Sequence, residues 1–178
     1  LYAKWIDYVA TVAEVKAMAD HTETQVSGVV TFINGKNVYV QDATGGMLLY
    51  MAAEPTFAVG QKVIVKGTKV LYGGAPEVKG CVEVDIDDAT MPAPIAFEGL
   101  ANLVNDSTFK YFAQLVKVPG LTITEYDSYN NPTFFDGTNS AKGYKMVLDP
   151  VAYPIGSKVT LTAIAAWYNG FQFVVDVA

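Results

Sequence analysis

Short segments in which hydrophobic and polar residues alternate make up most of the chain. Alternation with a period of two predicts strands that have one buried and one exposed face. Two such segments follow one another at Gln25–Ile33 and Asn37–Asp42, and the apolar run Met47–Met51 after them is expected to return as a third strand. The Asn34-Gly35 pair between the first two is the strongest short signal for a β-hairpin. The pattern therefore predicts an all-β protein.

One predicted hairpin occurs twice, over residues 62–84 and again over residues 158–177. Four residues recur 96 positions later: Gly60, Lys62, Tyr72 and Gly74 match Gly156, Lys158, Tyr168 and Gly170. A fixed offset of this kind indicates two copies of one β unit. We therefore predict an N-terminal edge segment over 1–9, a first domain over 10–88, a linker over 89–96 and a second domain over 97–178. Within this division, Asp85–Pro94 reads as a stiff extended connection because it is rich in acid, Ala and Pro.

Each copy is expected to open with a short helix. In the first, Ala10–Ala19 carries Thr11 and Glu14 at the spacing of a capping box. In the second, the helix is expected over Phe97–Leu103. Gly28 predicts a bulge or strong coiling in the first strand of the first copy, and Pro119-Gly120 marks a bulge at the equivalent place in the second. A helix and five strands per copy predict two tandem five-stranded Greek-key barrels of the oligonucleotide/oligosaccharide-binding (OB) type.

Three motifs of the first copy carry a resemblance to a known group of domains: Val26–Thr31, Val38–Gly46 and Phe57–Gly67. They are similar to OB-like domains of secreted and surface lipoproteins of Bacteroidetes. The likeness extends over nearly the whole chain, but the second copy lacks the double glycine and has a longer first loop at Tyr126–Thr133. The resemblance implies the fold and an extracellular or outer cell-surface location. Related modules accompany some extracellular nucleases.

Composition narrows the class of protein. Hydrophobic residues make up 51% of the chain and charged residues 17%, which is typical of a folded protein. No apolar run approaches the length that spans a bilayer. Because the chain begins at Leu1, we expect a fragment of a longer protein whose signal or lipidation segment is not included.

The charge disfavours nucleic acid as the partner. All 12 basic residues are lysines, and 18 acids give a net charge of −6. Proteins that bind nucleic acid usually present a basic face and use arginine to bind phosphate and guanine.

The sequence contains few residues of the types that usually act as catalytic nucleophiles, bases or metal ligands. His21 stands alone in a polar loop, and Cys81 is expected to be a small core residue. No phosphate-binding glycine motif occurs, so we expect neither a catalytic centre nor a cofactor or metal site. Whether a longer parent protein is an enzyme is a separate question that this sequence leaves open. Asp85, Asp87 and Asp88 could bind Ca²⁺, but a solvated linker is the favoured interpretation.

Asp42 and Asp136 occupy equivalent places in the two copies, each with Thr two residues later. Their side chains either contact a ligand or close their own turns by accepting backbone N–H groups, and we favour the second interpretation.

Aromatic residues are the remaining candidates for ligand contacts. They lie on the predicted strand face of the first copy, in the first loop of the second copy and at the hairpin tips. Together with one glutamine, the candidates are Tyr39, Gln41, Tyr50, Tyr72, Tyr126, Tyr129, Trp167 and Tyr168. Such aromatics also serve as covers for a barrel end or for the seam between two domains.

These observations favour a non-catalytic binding or adhesion module of an extracellular bacterial protein that contacts a glycan or another protein. Two alternatives stay open: an OB domain for single-stranded nucleic acid, and an accessory domain of a secreted hydrolase or nuclease.

Overall fold

The computed structural model describes residues 8–174 and divides them into two compact units. One unit comprises the described chain up to Leu71 together with Pro76–Met91, and the other comprises Tyr72–Ala75 together with the chain from Pro92. Each unit contains one six-stranded sheet, which confirms the predicted tandem all-β fold. Residues 1–7 of the predicted edge segment and the end of the last predicted strand lie outside the described residues.

The first unit is a closed barrel. Its elements are β1 (Val9–Ala10), α1 (Val12–Ala17), β2 (Glu23–Asn34), β3 (Asn37–Asp42), β4 (Gly45–Met51), β5 (Gln61–Tyr72) and β6 (Ala75–Asp88). The strands follow the order β1-β2-β3-β4-β6-β5, and β5 also pairs with β2. That pairing closes a ring of five strands, with β4 and β6 parallel to each other. Strand number, order and closure are those of an OB barrel.

The second unit repeats this arrangement. Its elements are β7 (Ile95–Ala96), α2 (Ala101–Val104), β8 (Leu115–Tyr126), β9 (Pro132–Phe135), β10 (Ser140–Gly143), β11 (Lys158–Trp167) and β12 (Phe171–Val174). The order is β11-β12-β10-β9-β8-β7, and β11 also pairs with β8. The five-stranded barrel predicted for each copy is therefore confirmed.

Each barrel encloses its own hydrophobic core. In the first, Val12 and Val15 of α1 belong to the same buried cluster as the strand residues Val40, Met47 and Leu49. In the second, the core is more aromatic, because Phe134 and Phe173 meet edge to face with ring centroids 6.0 Å apart. Each unit thus buries its own apolar side chains, as the tandem repeat requires.

The first helix is shorter than the sequence predicts, but its start is as expected. Thr11 is the N-cap, its hydroxyl accepts the N–H of Glu14, and the Glu14 carboxylate accepts the N–H of Thr11 at 2.8 Å. The capping box is confirmed. The prediction for the second helix was wrong in extent, because α2 covers only Ala101–Val104 and has no side-chain cap.

One of the two predicted bulges is present. Pro119-Gly120 lies where the pairing of β8 with β11 shifts by a residue, and Gly120 has a φ of 69°. No bulge lies at Gly28 itself, because β2 pairs with β5 without interruption there, and the register of β2 with β3 shifts instead between Val30 and Phe32. Strong coiling at Gly28 stays a prediction. A Cβ on Gly28 would lie 3.0 Å from the Cβ of Val40, so this glycine permits a close approach between β2 and β3.

The predicted extended connection at Asp85–Pro94 is partly strand. Asp85–Asp88 continue β6. Ile95–Ala96, at the end of the predicted 89–96 linker, pair in parallel with Val116 and Lys117 of β8. Main-chain pairing thus extends each sheet into residues whose composition is typical of a linker.

Candidate ligand-binding site

The repeated aspartates hold each barrel together at the same point. Asp42 Oδ1 accepts the N–H groups of Thr44 and Gly45 at 2.7 and 3.0 Å and the Thr44 hydroxyl at 2.6 Å. Its Oδ2 accepts the N–H of Val12, the first residue of α1, at 2.9 Å. The carboxylate therefore closes its own turn, as predicted, and also joins that turn to the helix.

Asp136 makes the same connection in the second unit. Its Oδ1 accepts the N–H groups of Thr138 and Asn139, and its Oδ2 accepts the N–H of Leu100 at 2.7 Å. Burial alone would raise the pKa of Asp136, but the N–H groups of Asn139, Leu100 and Thr138 outweigh it and lower the pKa below its ordinary value. Both repeated acids are thus structural, and the candidate site lies elsewhere.

The outer surface of the second barrel is polar around one aromatic ring. Alternation along β9 turns Phe134 into the core and leaves Phe135 partly exposed outside. One row of cross-strand neighbours on this surface consists of Lys158, Thr122, Phe135 and Ser140. A second row, two residues further along the strands, consists of Thr133, Lys142 and Gln172. We call these seven residues the strand face.

Among residues 8–174, the polar side chains of the strand face make no hydrogen bond or ion pair, although the charge of Lys142 acts on Asp127. Within residues 8–174, the side chains of Thr122, Thr133, Ser140 and Gln172 make no hydrogen bond. The ammonium groups of Lys142 and Lys158 likewise form no ion pair among these residues. A partly exposed ring surrounded by unbonded hydroxyl, amide and ammonium groups is suited to a ligand that stacks and accepts or donates hydrogen bonds.

A rigid loop lies at one end of the strand face, between β8 and β9. Asp127 Oδ1 accepts the N–H groups of Tyr129 and Asn131 at 2.8 and 2.9 Å. Asn131 also accepts the N–H of Met146 through its side-chain oxygen. These bonds fix the loop while the Tyr129 side chain remains 78% exposed. Tyr129 is therefore presented to solvent by an ordered support.

We expect Asp127→Ala to loosen this loop without unfolding the barrel. The hydrogen bonds of Asn131, first through its side chain and then through its backbone, lower the pKa of Asp127. Its contribution is therefore present above the unfolded pKa of about 4 and is lost as the pH falls through the lower folded value. Hydrogen exchange of the Tyr129 and Asn131 amides should accelerate in the variant. Unchanged exchange in Asp127→Ala would show that the carboxylate does not order the loop.

In the first unit, the equivalent outer surface of β3 and β4 is less exposed than the sequence predicts. Tyr39 and Gln41 lie on β3 as expected, but each is only 8% exposed, and the rings of Tyr39 and Phe32 have centroids 6.1 Å apart. Tyr50 is 38% exposed on β4, between Asn37 and Lys79. Ligand contacts of Tyr39, Gln41 and Tyr50 stay predictions.

The remaining predicted residues are dispersed. Tyr72 and Tyr168 are exposed at the tips of their hairpins, whereas Trp167 is partly buried with its ring edge to face against Phe109 at 5.2 Å. The hydroxyl of Tyr126 donates to the carbonyl of Tyr153 at 2.6 Å. Ligand contacts of these four residues stay predictions.

The sequence interpretation missed Phe135 and its polar neighbours. The signal was present, because alignment of the repeated aspartates places Phe135 where Gln41 stands in the first copy. A second missed feature is the connector between β10 and β11, which exposes several large apolar side chains. They are Tyr144, Val147, Val151, Tyr153 and Ile155.

The described residues hold no cluster of metal-ligating side chains. Residues 8–174 contain no group of three or more His, Cys, Asp and Glu side chains that could hold a metal ion. His21 is exposed, and the thiol of Cys81 is buried and donates to the Val78 carbonyl. Burial, and then the charge of Glu77, raise the pKa of Cys81 to about 12. Cys81 is the core residue that the sequence predicts. None of the described helices is long and apolar enough to cross a membrane.

Comparison with known proteins gives remote structural likenesses only. No family model and no curated protein matches the chain. A murine DNA-binding protein solved with double-stranded DNA is 11% identical, with a TM-score of 0.43 over 85% of this chain and 90% of that one. The tetrameric p202 HIN2 domain is 11% identical, with a TM-score of 0.36 over 87% and 88%. The hypothetical protein ygiW from E. coli is 18% identical, with a TM-score of 0.35 over 43% of this chain and 90% of that one. The fold assignment rests on strand order and barrel closure.

Proposed function

We propose that this chain is a non-catalytic carbohydrate-binding module of an extracellular bacterial protein, with the strand face of the second unit as its binding surface. The observation that supports it most is the partly exposed ring of Phe135 among unbonded polar side chains. In OB barrels the face of the second and third strands and its flanking loops form the usual ligand surface. Here those strands are β9 and β10, and the ordered Tyr129 loop flanks them.

The chemistry of the strand face fits a sugar. A sugar ring has an apolar face that packs on an aromatic side chain and hydroxyl groups at its edge that exchange hydrogen bonds. Phe135 supplies the ring, and Thr122, Thr133, Ser140 and Gln172 supply donors and acceptors. The extracellular location rests on the resemblance to surface lipoproteins.

Single-stranded nucleic acid is the second candidate, because Lys142 and Lys158 lie on the same face as Phe135. A base could stack on the ring, and two ammonium groups could contact phosphate. The net charge of −6 opposes this assignment, since long-range repulsion of a polyanion reduces both its rate of association and its affinity. The two candidates therefore differ in the salt dependence that they predict.

A binding screen of the whole chain against immobilised polysaccharides and single-stranded DNA and RNA, at low and high salt, tests the proposal. We expect a polysaccharide to bind with little dependence on salt. Phe135→Leu, which keeps an apolar side chain but removes the ring, should weaken binding about tenfold, equivalent to about 1.4 kcal/mol. Tyr8→Ala, which removes an exposed aromatic of the first unit, is the matched control and should bind as the wild type does.

Two outcomes would contradict the proposal. Binding of single-stranded nucleic acid that collapses at high salt would favour the second candidate. Absence of binding to every polymer would favour a protein partner. The exposed apolar connector between β10 and β11 is then the first surface to alter.

A further inference from the structure

A concave surface of the second unit lies beside β7 and α2, outside the strand face. It is an open cleft of about 530 Å³, within the range of small-ligand sites. It is lined by residues 95–99 together with Ala101, Asn102 and Tyr111, and these include the polar residues Glu98 and Asn102 and the aromatic residue Tyr111. Neither the strand face nor the repeated aspartate accounts for these three side chains.

The aromatic wall of the cleft is fixed in place. The N–H of Tyr111 donates to Asp106 Oδ2 at 2.6 Å. The rings of Tyr111 and Phe97 meet edge to face, with centroids 4.9 Å apart. Lys110 places its ammonium 4.9 Å from the centroid of the Tyr111 ring. Tyr111 is thus held by the fold rather than left mobile on the surface, which reduces the entropy that a ligand would lose by ordering it.

The polar wall has unused hydrogen-bonding capacity. Glu98 and Asn102 are exposed, and within residues 8–174 neither side chain makes a hydrogen bond. A carboxylate and an amide together accept from and donate to vicinal hydroxyl groups, while a tyrosine ring packs on the apolar face of a sugar. A ligand that combines an apolar ring face with hydroxyl groups, such as a neutral sugar residue, would suit these groups.

The cleft and the strand face are close together along the fold. Asp136 directly follows Phe135, and its Oδ2 accepts the N–H of Leu100, which directly follows the cleft residue Gly99. The strand face and the cleft are therefore connected through one peptide unit, the Asp136 side chain and one hydrogen bond. Because each of these links is short, the backbones of Phe135 and Leu100 lie within about 10 Å of each other. An oligosaccharide of a few residues is long enough to reach from one to the other.

We infer that the cleft of Glu98, Asn102 and Tyr111 is a second carbohydrate subsite, which takes a further residue of the same sugar chain that the strand face binds. This inference rests on the proposed function. It predicts that affinity rises with the length of the oligosaccharide, because only longer chains occupy both places.

Calorimetric titration with short and long members of the gluco-, manno- and xylo-oligosaccharide series tests the inference. Glu98→Ala and Asn102→Ala should each weaken binding of the long oligosaccharides about tenfold and leave binding of the short ones unchanged. Phe135→Leu should weaken both. Ser107→Ala, which alters another exposed residue outside the cleft, is the control and should change neither.

The possible failures are distinguishable. If Glu98→Ala and Asn102→Ala bind long oligosaccharides as the wild type does while Phe135→Leu does not, the second subsite is refuted and the strand face stands. If no oligosaccharide binds the wild type, the proposed function and the inference both fail.

Discussion

Asp42→Ala is expected to lower the free energy of unfolding of the first unit by about 3 kcal/mol. The carboxylate accepts three main-chain N–H groups and one hydroxyl, and one of those N–H groups begins α1. Hydrogen bonds to a charged group each contribute about 1.5–3 kcal/mol, and water recovers part of this at a half-exposed site. Urea denaturation followed by fluorescence measures the change.

The equivalent change in the second unit gives an independent test. Asp136→Ala removes the same turn and the same link to a helix start, so a loss of similar size is expected. Asp87→Ala is the control, because Asp87 is exposed on β6 and makes no hydrogen bond through its side chain among the described residues. Equal stability of Asp42→Ala, Asp136→Ala and Asp87→Ala would show that the repeated carboxylates do not hold turn and helix together.

Glu77→Gln is expected to stabilise the protein by about 3 kcal/mol at about pH 8 and to have almost no effect near pH 4. Glu77 lies on β6 and is only 4% exposed, and no described residue donates a hydrogen bond to it. Burial raises its pKa from 4.5 to about 7, although the nearby ammonium of Lys79 acts in the opposite direction.

The raised pKa of Glu77 fixes the sign of the effect. Between about pH 4.5 and pH 7 the folded state retains a proton that the unfolded chain has released, so stability falls as the pH rises through this range. A tenfold change in the acid dissociation constant corresponds to about 1.4 kcal/mol, which gives the size of the loss above pH 7. Denaturation of the variant and the wild type across this range measures it.

An exposed carboxyl provides the comparison for Glu77. Glu54→Gln alters an exposed side chain and should leave the free energy of unfolding as it is in the wild type. If the stabilities of Glu77→Gln and the wild type depend on pH in the same way, burial does not raise the pKa of Glu77, and the prediction is wrong.

The parts of the fold that depend on neighbouring residues were predictable from the sequence. The hairpin at Tyr72–Ala75 was predicted because Gly73 and Gly74 supply the positive φ angles, 56° and 88°, that a tight turn requires. The Thr11 capping box was predicted because both of its bonds join residues three apart. The recurrence of the hairpin signal 96 residues later, at Tyr168 and Gly170, was sufficient to predict the second barrel.

The parts that depend on distant residues were not predictable in the same way. A period of two assigns Tyr39 to the outer face of β3, but it does not report what covers that face, and Tyr39 is buried. The bond from Asp136 to Leu100 joins residues 36 apart and leaves no local pattern. Phe135 was overlooked for a related reason, since its significance depends on neighbours from β8 and β10 that only the register reveals.

The most direct test of the strand face as the ligand surface is an NMR titration of the isotope-labelled chain with the oligosaccharide that binds best in the screen. The largest amide shifts are expected at Thr122, Thr133, Phe135, Ser140 and Lys142, with smaller shifts in the Tyr129 loop. The amides of β3 and β4 should remain unshifted. Shifts confined to β3 and β4 would place the ligand on the first unit and contradict the assignment of the strand face.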